Sequence, residues 1–312
     1  MITKPFEQIS KHDADIAGGK GASLGEITQA KMPIPPGFVL LADAFNRFLE
    51  ETDLLVEIKS LLKKVNHYEL HSITKASETI RQLIANAEMP KDIANELMIE
   101  FKKLGAKSVA VRSSATAEDS SSASWAGELE TYLHVTEKSL LDSVKLCWSS
   151  LFTPRAIFYR FENKMHEQQV AVAVVVQKMI ESKISGITFT VHPVTKNNNQ
   201  MIIEAGFGLG EAIVSGKITP DAYVMDKRNF SILDINIAKQ EKMITKNGSI
   251  GTKATKVPKA IQEKQKLTNK QIISLAKICK KIEEHYKFPC DIEWAFEKDK
   301  FYITQSRPIT TL

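Results

Sequence analysis

Cys290-Asp291-Ile292-Glu293-Trp294-Ala295-Phe296 is followed, after Glu-Lys-Asp-Lys, by Phe301-Tyr302-Ile303-Thr304-Gln305-Ser306-Arg307-Pro308. Both runs are rich in β-branched and aromatic residues, alternate with a period of two and flank a polar tetrapeptide, which predicts an antiparallel hairpin. Successive strand side chains point to opposite faces, so Asp291 and Glu293 share one face and Ile292 and Trp294 the other. With a three-residue loop at 298–300, Glu293 falls opposite Gln305 and Asp291 opposite Arg307. Two carboxylates, an amide and a guanidinium then occupy one patch of sheet. Hard divalent cations such as Mg2+ take oxygen ligands and usually keep phosphates and waters, and arginine suits a phosphate fork. The patch therefore reads as the floor of a metal-nucleotide site. An exposed hairpin face with a cross-strand ion pair accounts for the same residues equally well.

The rest of the chain sets the frame for that patch. At 312 residues, 43% of them hydrophobic and 25% charged, it can bury a large core in one large or two closely packed domains. No run approaches the roughly 18 to 20 apolar residues of a membrane helix, and the first residues do not read as a signal peptide. A cytoplasmic protein with no membrane partner is expected. Cys147, Cys279 and Cys290 are an odd number without metal-ligand spacing, so reduced, buried thiols are predicted. The net charge of +5 is spread along the chain and no zinc or aromatic RNA-binding pattern accompanies it, which argues against nucleic acid.

Upstream, Ala17-Gly-Gly-Lys-Gly-Ala-Ser-Leu-Gly-Glu26 is a glycine-rich turn entering a helical pattern, with Lys20 where backbone and side chain can meet an anion; a plain structural turn is the competing reading. Pro33-Ile-Pro-Pro-Gly leads into an extended segment, and Ala42 to Leu54 has amphipathic helical spacing. Asp53 to Leu104 is a helical insertion broken at Met89-Pro90. Ser108-Val-Ala-Val-Arg112 reads as a buried strand running into a loop of hydroxylated residues from Ser113 onward, suited either to a polyphosphate or to solvent. Lys138 to Phe158 is a core helix with Leu141, Val144, Cys147, Trp148 and Leu151 on one stripe. Gln169 to Ile180 is the most hydrophobic strand and must be central; its exit, Gln177 to Ile180 with Met179, offers an adenine-sized apolar edge or simply more sheet core. Ile184–Val191 and Met201–Gly206 are further strands, and Gly206-Phe-Gly-Leu-Gly210 precedes a short helix at 212–215. The stretch from Ile244 to Ala260, rich in Gly, Thr and Lys, has no apolar period and is expected to be a mobile basic loop. Thr268 caps a helix whose Ile272, Leu275, Ala276, Cys279 and Ile282 face the sheet.

Six motifs occur in order: Gly18-Gly-Lys-Gly-Ala-Ser-Leu24, Val111-Arg-Ser-Ser-Ala-Thr-Ala-Glu-Asp119, Ser124-Trp-Ala-Gly127, Ser185-Gly-Ile-Thr-Phe-Thr190, Gly208-Leu-Gly-Glu-Ala-Ile-Val-Ser-Gly216 and Asp291-Ile-Glu-Trp to Thr304-Gln-Ser-Arg-Pro308. Together they resemble the amino-terminal nucleotide-binding domain of the phosphoenolpyruvate synthase and pyruvate phosphate dikinase family, to which rifampicin phosphotransferase is related. The resemblance implies an α+β, ATP-grasp fold. Its amino-terminal lobe would span residues 1–175, with the helical insertion at about 53–104, and its carboxy-terminal lobe 176–312, the two gripping Mg-ATP. Carried over by position, Lys20 and Arg112 resemble phosphate clamps, while Gly127 and Thr131 match the loop that covers the phosphates. Gln177 and Met179 match the adenine side. Glu293 and Gln305 resemble the metal-linked pair, Asp291 an assistant to the same Mg2+, and Arg307 a further phosphate contact.

Glu128-Leu129 stands where synthase-type relatives carry Gln-Gln, a departure that touches the detail of that loop. None of the seven histidines lies in a Gly-Gly-x-x-Cys-His-type loop, and His192 in Val-His-Pro reads as an ordinary strand-end residue. The resemblance therefore implies the ATP-using half of a phosphotransferase, acting with a phosphohistidine domain supplied in trans or by a longer chain. A non-catalytic nucleotide-binding module, the ATP domain of an antibiotic kinase and a complete small-molecule kinase are the alternatives.

Overall fold

A computed structural model describes residues 1–116, 130–163, 170–248 and 251–309. The chain divides into two compact units, Met1–Glu26 with Pro36–Met179, and Ile27–Pro35 with Ile180–Leu312. Along the first stretch run β1 (Thr3–Pro5), α1 (Ala14–Gln29), β2 (Gly37–Leu40), α2 (Ala42–Glu51), α3 (Leu54–Lys63), α4 (Leu70–Asn86), α5 (Lys91–Leu104), β3 (Val109–Ala115), β4 (Thr131–Val135), α6 (Leu140–Ser149), α7 (Pro154–Glu162) and β5 (Val172–Lys178).

The first unit's sheet has the order β1-β2-β5-β3-β4, with antiparallel neighbours throughout. β5 is central because its alanine and valine side chains are apolar on both faces, and Val172 to Val176 are fully buried. Helices 54–104 are broken at Pro90, which cannot continue a helix and stands as the residue preceding α5. The core helix expected over 138–158 divides at Ser150–Phe152, and Pro154 starts α7 with Thr153 Oγ1 accepting from the Ala156 N–H at 3.1 Å. Trp148 of α6 lies against Phe45 and Phe48 of α2, with ring centroids 5.7 and 4.9 Å apart.

The second unit holds β6 (Ile184–Phe189), β7 (Gln200–Phe207), α8 (Glu211–Val214), β8 (Asp221–Asp226), β9 (Ile232–Asn236), β10 (Lys242–Lys246), β11 (Thr252–Lys256), α9 (Asn269–Tyr286), β12 (Cys290–Glu297) and β13 (Lys300–Pro308). Its main sheet has the order β13-β12-β6-β7-β8-β9, again antiparallel. Thr268 caps α9 through a reciprocal box with Gln271, and the predicted stripe from Ile272 to Ile282 is buried. All three cysteines are free and buried; burial pushes the Cys279 and Cys290 thiols up to about 12, so they pack as small protonated hydrophobes.

A buried charge pins the return to α9. Asp221, fully buried, accepts from the Ala238 and Lys266 backbone N–H groups, from Tyr223 Oη at 2.7 Å and from Lys266 Nζ at 2.8 Å. Both carboxylate oxygens are thereby satisfied, which is what makes a buried ion pair tolerable.

Ile244 to Ala260, expected as a mobile loop, holds instead most of β10 and all of β11, which pair as antiparallel strands. Tertiary contacts override its weak apolar pattern. Gln240 accepts the Phe207 N–H and donates to the carbonyls of Phe207 and Lys242, and the Leu209 N–H donates to Ile244 O at 2.9 Å. Gly208, at φ 91°, sits where a Cβ would be 2.5 Å from Ile244 O. The Gly-x-Gly-x-Gly run thus serves as the seat of this hairpin. His192 behaves as predicted: its Nδ1 accepts from the Val194 and Thr195 N–H groups and closes a turn at the strand end.

Candidate functional site

In the first unit, the glycine-rich segment is a helix with a break. Gly18 has φ 69° and ψ 169° inside α1, and a Cβ there would overlap Ser114. That contact brings α1 onto β3: Ser114 Oγ donates to Ala17 O at 3.0 Å and accepts the Gly21 N–H at 3.2 Å. Lys20 therefore lies on the turn of helix that touches β3, two residues beyond Arg112. Both are drawn in: Lys20 is half-buried and Arg112 is 8% exposed.

Ser113 and Ser114, expected at the start of a hydroxyl-rich loop, lie instead within β3. Ser113 and Ser114 are buried in β3, and Ser113 Oγ donates to Glu130 O at 2.6 Å, so these hydroxyls hold backbone together. Thr131, exposed at the start of β4, pairs directly with Arg112. Gly127, with the Glu128-Leu129 departure, lies outside the described residues. Gln177, 2% exposed, sits in β5 between Gly37 and Ala110. Just beyond it the N–H groups of Lys178 and Met179 donate to Pro36 O and Ser108 O at 2.9 and 3.1 Å. Both N–H groups are thereby engaged in backbone pairing.

In the second unit the hairpin β12–β13 gives the predicted register, Asp291 opposite Arg307 and Glu293 opposite Gln305, by a different route. The loop has two residues, Lys298 and Asp299, both in the left-handed region at φ 50° and 60°, as a type I′ connection requires. A bulge beside Glu293 and Trp294 then adds one residue on β13 and restores the pairing. Ile292 and Trp294 are buried at 0% and 1% exposure on the core face. On the other face Arg307 directs Nε and Nη2 at the same oxygen, Asp291 Oδ2, at 2.9 and 2.8 Å. Asp291 Oδ1 is buried and, among the described residues, accepts no hydrogen bond. A carboxylate oxygen stripped of water with nothing to bind is costly, and a cation is its natural complement.

The sequence reading missed Glu204. The register runs Gln305, Glu293, Ile187, Glu204 across β13, β12, β6 and β7, so Glu204 stands on the same face as Asp291 and Glu293. Burial first, and then the charge of Asp291, pushes its carboxyl above the usual range. The signal was present in Met201-Ile-Ile-Glu-Ala, where an acid interrupts an otherwise apolar strand.

The family model "Pyruvate phosphate dikinase, AMP/ATP-binding domain" matches residues 14–312. The chain belongs to this family. Membership makes it an ATP-grasp type domain, in agreement with its α+β architecture and antiparallel sheets. A probable phosphoenolpyruvate synthase of Methanocaldococcus jannaschii is 46% identical over 98% of this chain and 26% of its own length. The phosphoenolpyruvate synthase of Pyrococcus furiosus is 42% identical over 99% of this chain and 44% of its own. The rifampicin phosphotransferase of Bacillus subtilis is 38% identical, covering 98% and 36%. The chain thus spans less than half the length of each of these relatives. Among the described residues no helix is long and apolar enough to cross a membrane.

Proposed function

We propose that this chain is the ATP-binding part of a phosphoenolpyruvate synthase-like phosphotransferase, taking phosphate from Mg-ATP and passing it to a histidine on a separate domain or chain. The observation that carries the reading is the acidic face of β12–β13, where Asp291 Oδ1 is buried without a hydrogen bond beside Glu293 and Gln305. All the donors there are oxygens, the set a hard divalent cation prefers. Among the described residues no group of three or more His, Cys, Asp or Glu is placed to hold a metal, so Glu293, Gln305 and Asp291 would share a Mg2+ with phosphate and water. When bound, the ion would neutralise charge on the phosphates.

The chain's own residues supply the rest. Lys20 and Arg112, on apposed elements, hold phosphate oxygens, with Thr131 beside Arg112. Asp291 orients the Arg307 guanidinium toward a further oxygen. Gln177 and Met179 border the adenine. Positioned cations are most of what phosphoryl transfer asks of a protein. The final acceptor belongs to the partner, since relatives named for phosphoenolpyruvate synthesis and for rifampicin phosphorylation share this same stretch.

Titration calorimetry tests the reading: Mg-ATP binds the unsubstituted chain, and Glu293→Ala abolishes the metal-dependent part while the protein remains folded. Unchanged binding in that variant refutes the assignment. Phosphorus NMR separates turnover from mere binding. Sustained AMP formation is expected only with an added histidine domain. AMP release by the chain alone, or no transfer with any cognate domain, would replace the proposal with a self-sufficient kinase or a regulatory module respectively.

A further inference from the structure

Glu130 is fixed more firmly than a residue at a strand entrance needs to be. Its carbonyl accepts from the Ser113 N–H at 3.2 Å and from Ser113 Oγ at 2.6 Å. Its carboxylate accepts from Arg81 Nη2 of α4 on both oxygens, at 2.9 and 3.0 Å, and from the Tyr132 hydroxyl. Arg81 and Glu130 keep 28% and 32% of their side chains exposed, so their mutual attraction is screened and the pair is weak as a source of stability. Its geometry is specific nonetheless, because one guanidinium nitrogen of α4 meets both oxygens of the carboxylate that stands just before β4, and the Tyr132 hydroxyl of β4 meets the same carboxylate.

The alternation of strand faces gives that specificity a use. Ser113 is bonded by Ser150 Oγ at 3.2 Å from the helical side. Arg112, its neighbour in β3, points to the opposite face, as does its partner Thr131. Thr131 is the first residue of β4 and would fray if the residue before it were released. Burial, then the Glu130 carboxylate, pushes the Tyr132 phenol far above its ordinary value, so it remains a donor at any physiological pH.

We infer that Arg81, Glu130 and Tyr132 form a clamp, behind the sheet, that positions Arg112 and Thr131 for the phosphates of ATP. The inference rests on the reading of the chain as a Mg-ATP-binding domain. Its residues touch no nucleotide; they act through the strand pair.

The test compares Mg-ATP and adenosine binding to the unsubstituted chain, Glu130→Gln, Arg81→Lys and Tyr132→Phe, each with its melting temperature. Glu130→Gln should weaken Mg-ATP binding about tenfold while leaving adenosine affinity unchanged, the size expected from disturbing one positioned phosphate contact. Arg81→Lys, which keeps the charge but replaces the planar guanidinium, should lose less, and Tyr132→Phe, the mildest change, keeps the test open if the others fail to fold. Equal losses for ATP and adenosine, or a lower melting temperature with ATP affinity intact, would overturn the inference. Failure of the unsubstituted chain to bind Mg-ATP would overturn both the inference and the reading beneath it.

Discussion

At the scale of single residues, Glu204 sets a cost that is visible without any ligand. Burial and the Asp291 charge raise its carboxyl above the ordinary value of 4.5. The folded chain therefore holds that proton more tightly than the unfolded chain, and stability falls as pH rises from the unfolded pKa through the folded one. Glutamine carries no such penalty. Without metal or nucleotide, Glu204→Gln should melt higher than the unsubstituted chain near pH 8, with the gap closing toward about pH 4. A gap independent of pH, or a lower melting temperature near pH 8, would show that Glu204 has a compensating partner. Residues of this kind resist sequence reading because Met201-Ile-Ile-Glu looks like any strand until its neighbours are known. Asp291 and Glu293 were legible, since their alternation with Ile292 and Trp294 fixes one face from the sequence alone.

At the scale of elements, the hairpin β12–β13 shows why a right register can be read through a wrong loop. A three-residue loop and a two-residue loop with a one-residue bulge displace β13 equally, so the pairs at the site coincide while those near the turn do not. Lys298 and Asp299 are not the residues that such a turn favours. Replacing them together, Lys298→Asn with Asp299→Gly, should stabilise the chain by about 1 kcal/mol by relieving left-handed backbone at both positions, with Mg-ATP affinity unchanged. Chemical denaturation measures the gain; a loss of stability would mean that the lysine or aspartate side chain holds the turn. The capped helix α9 was equally legible from Thr268, Gln271 and its apolar stripe. β8, β9 and the β10–β11 hairpin were not. They depend on groups distant in sequence, such as Gln240 on Phe207 and Lys266 on Asp221, and a local pattern carries no record of those.

At the scale of the whole molecule, the proposed function assigns nucleotide-responsive residues to each unit. Hydrogen exchange with and without Mg-ATP reads this directly. Slowing is expected in the first unit around residues 18–21 and in β3 and β4, and in the second in β12 and β13. Slowing confined to one unit would leave the other's charged residues to some different task. The family motifs were readable across the chain because each depends on a few neighbouring residues. Which backbone donors they keep for a ligand, as at Met179, depends on strand pairing and was not readable.

The second unit also includes Ile27–Pro35, a short stretch whose flanks on either side belong to the first. Within that unit the Ile303 N–H donates to Pro33 O at 2.9 Å. On a ribosome Pro33 emerges early, and its carbonyl has no such donor until Ile303 has followed it out. The contact joins parts of the chain far apart in sequence and so closes a long loop, and nascent chains halted before β13 would carry a segment still waiting for its place.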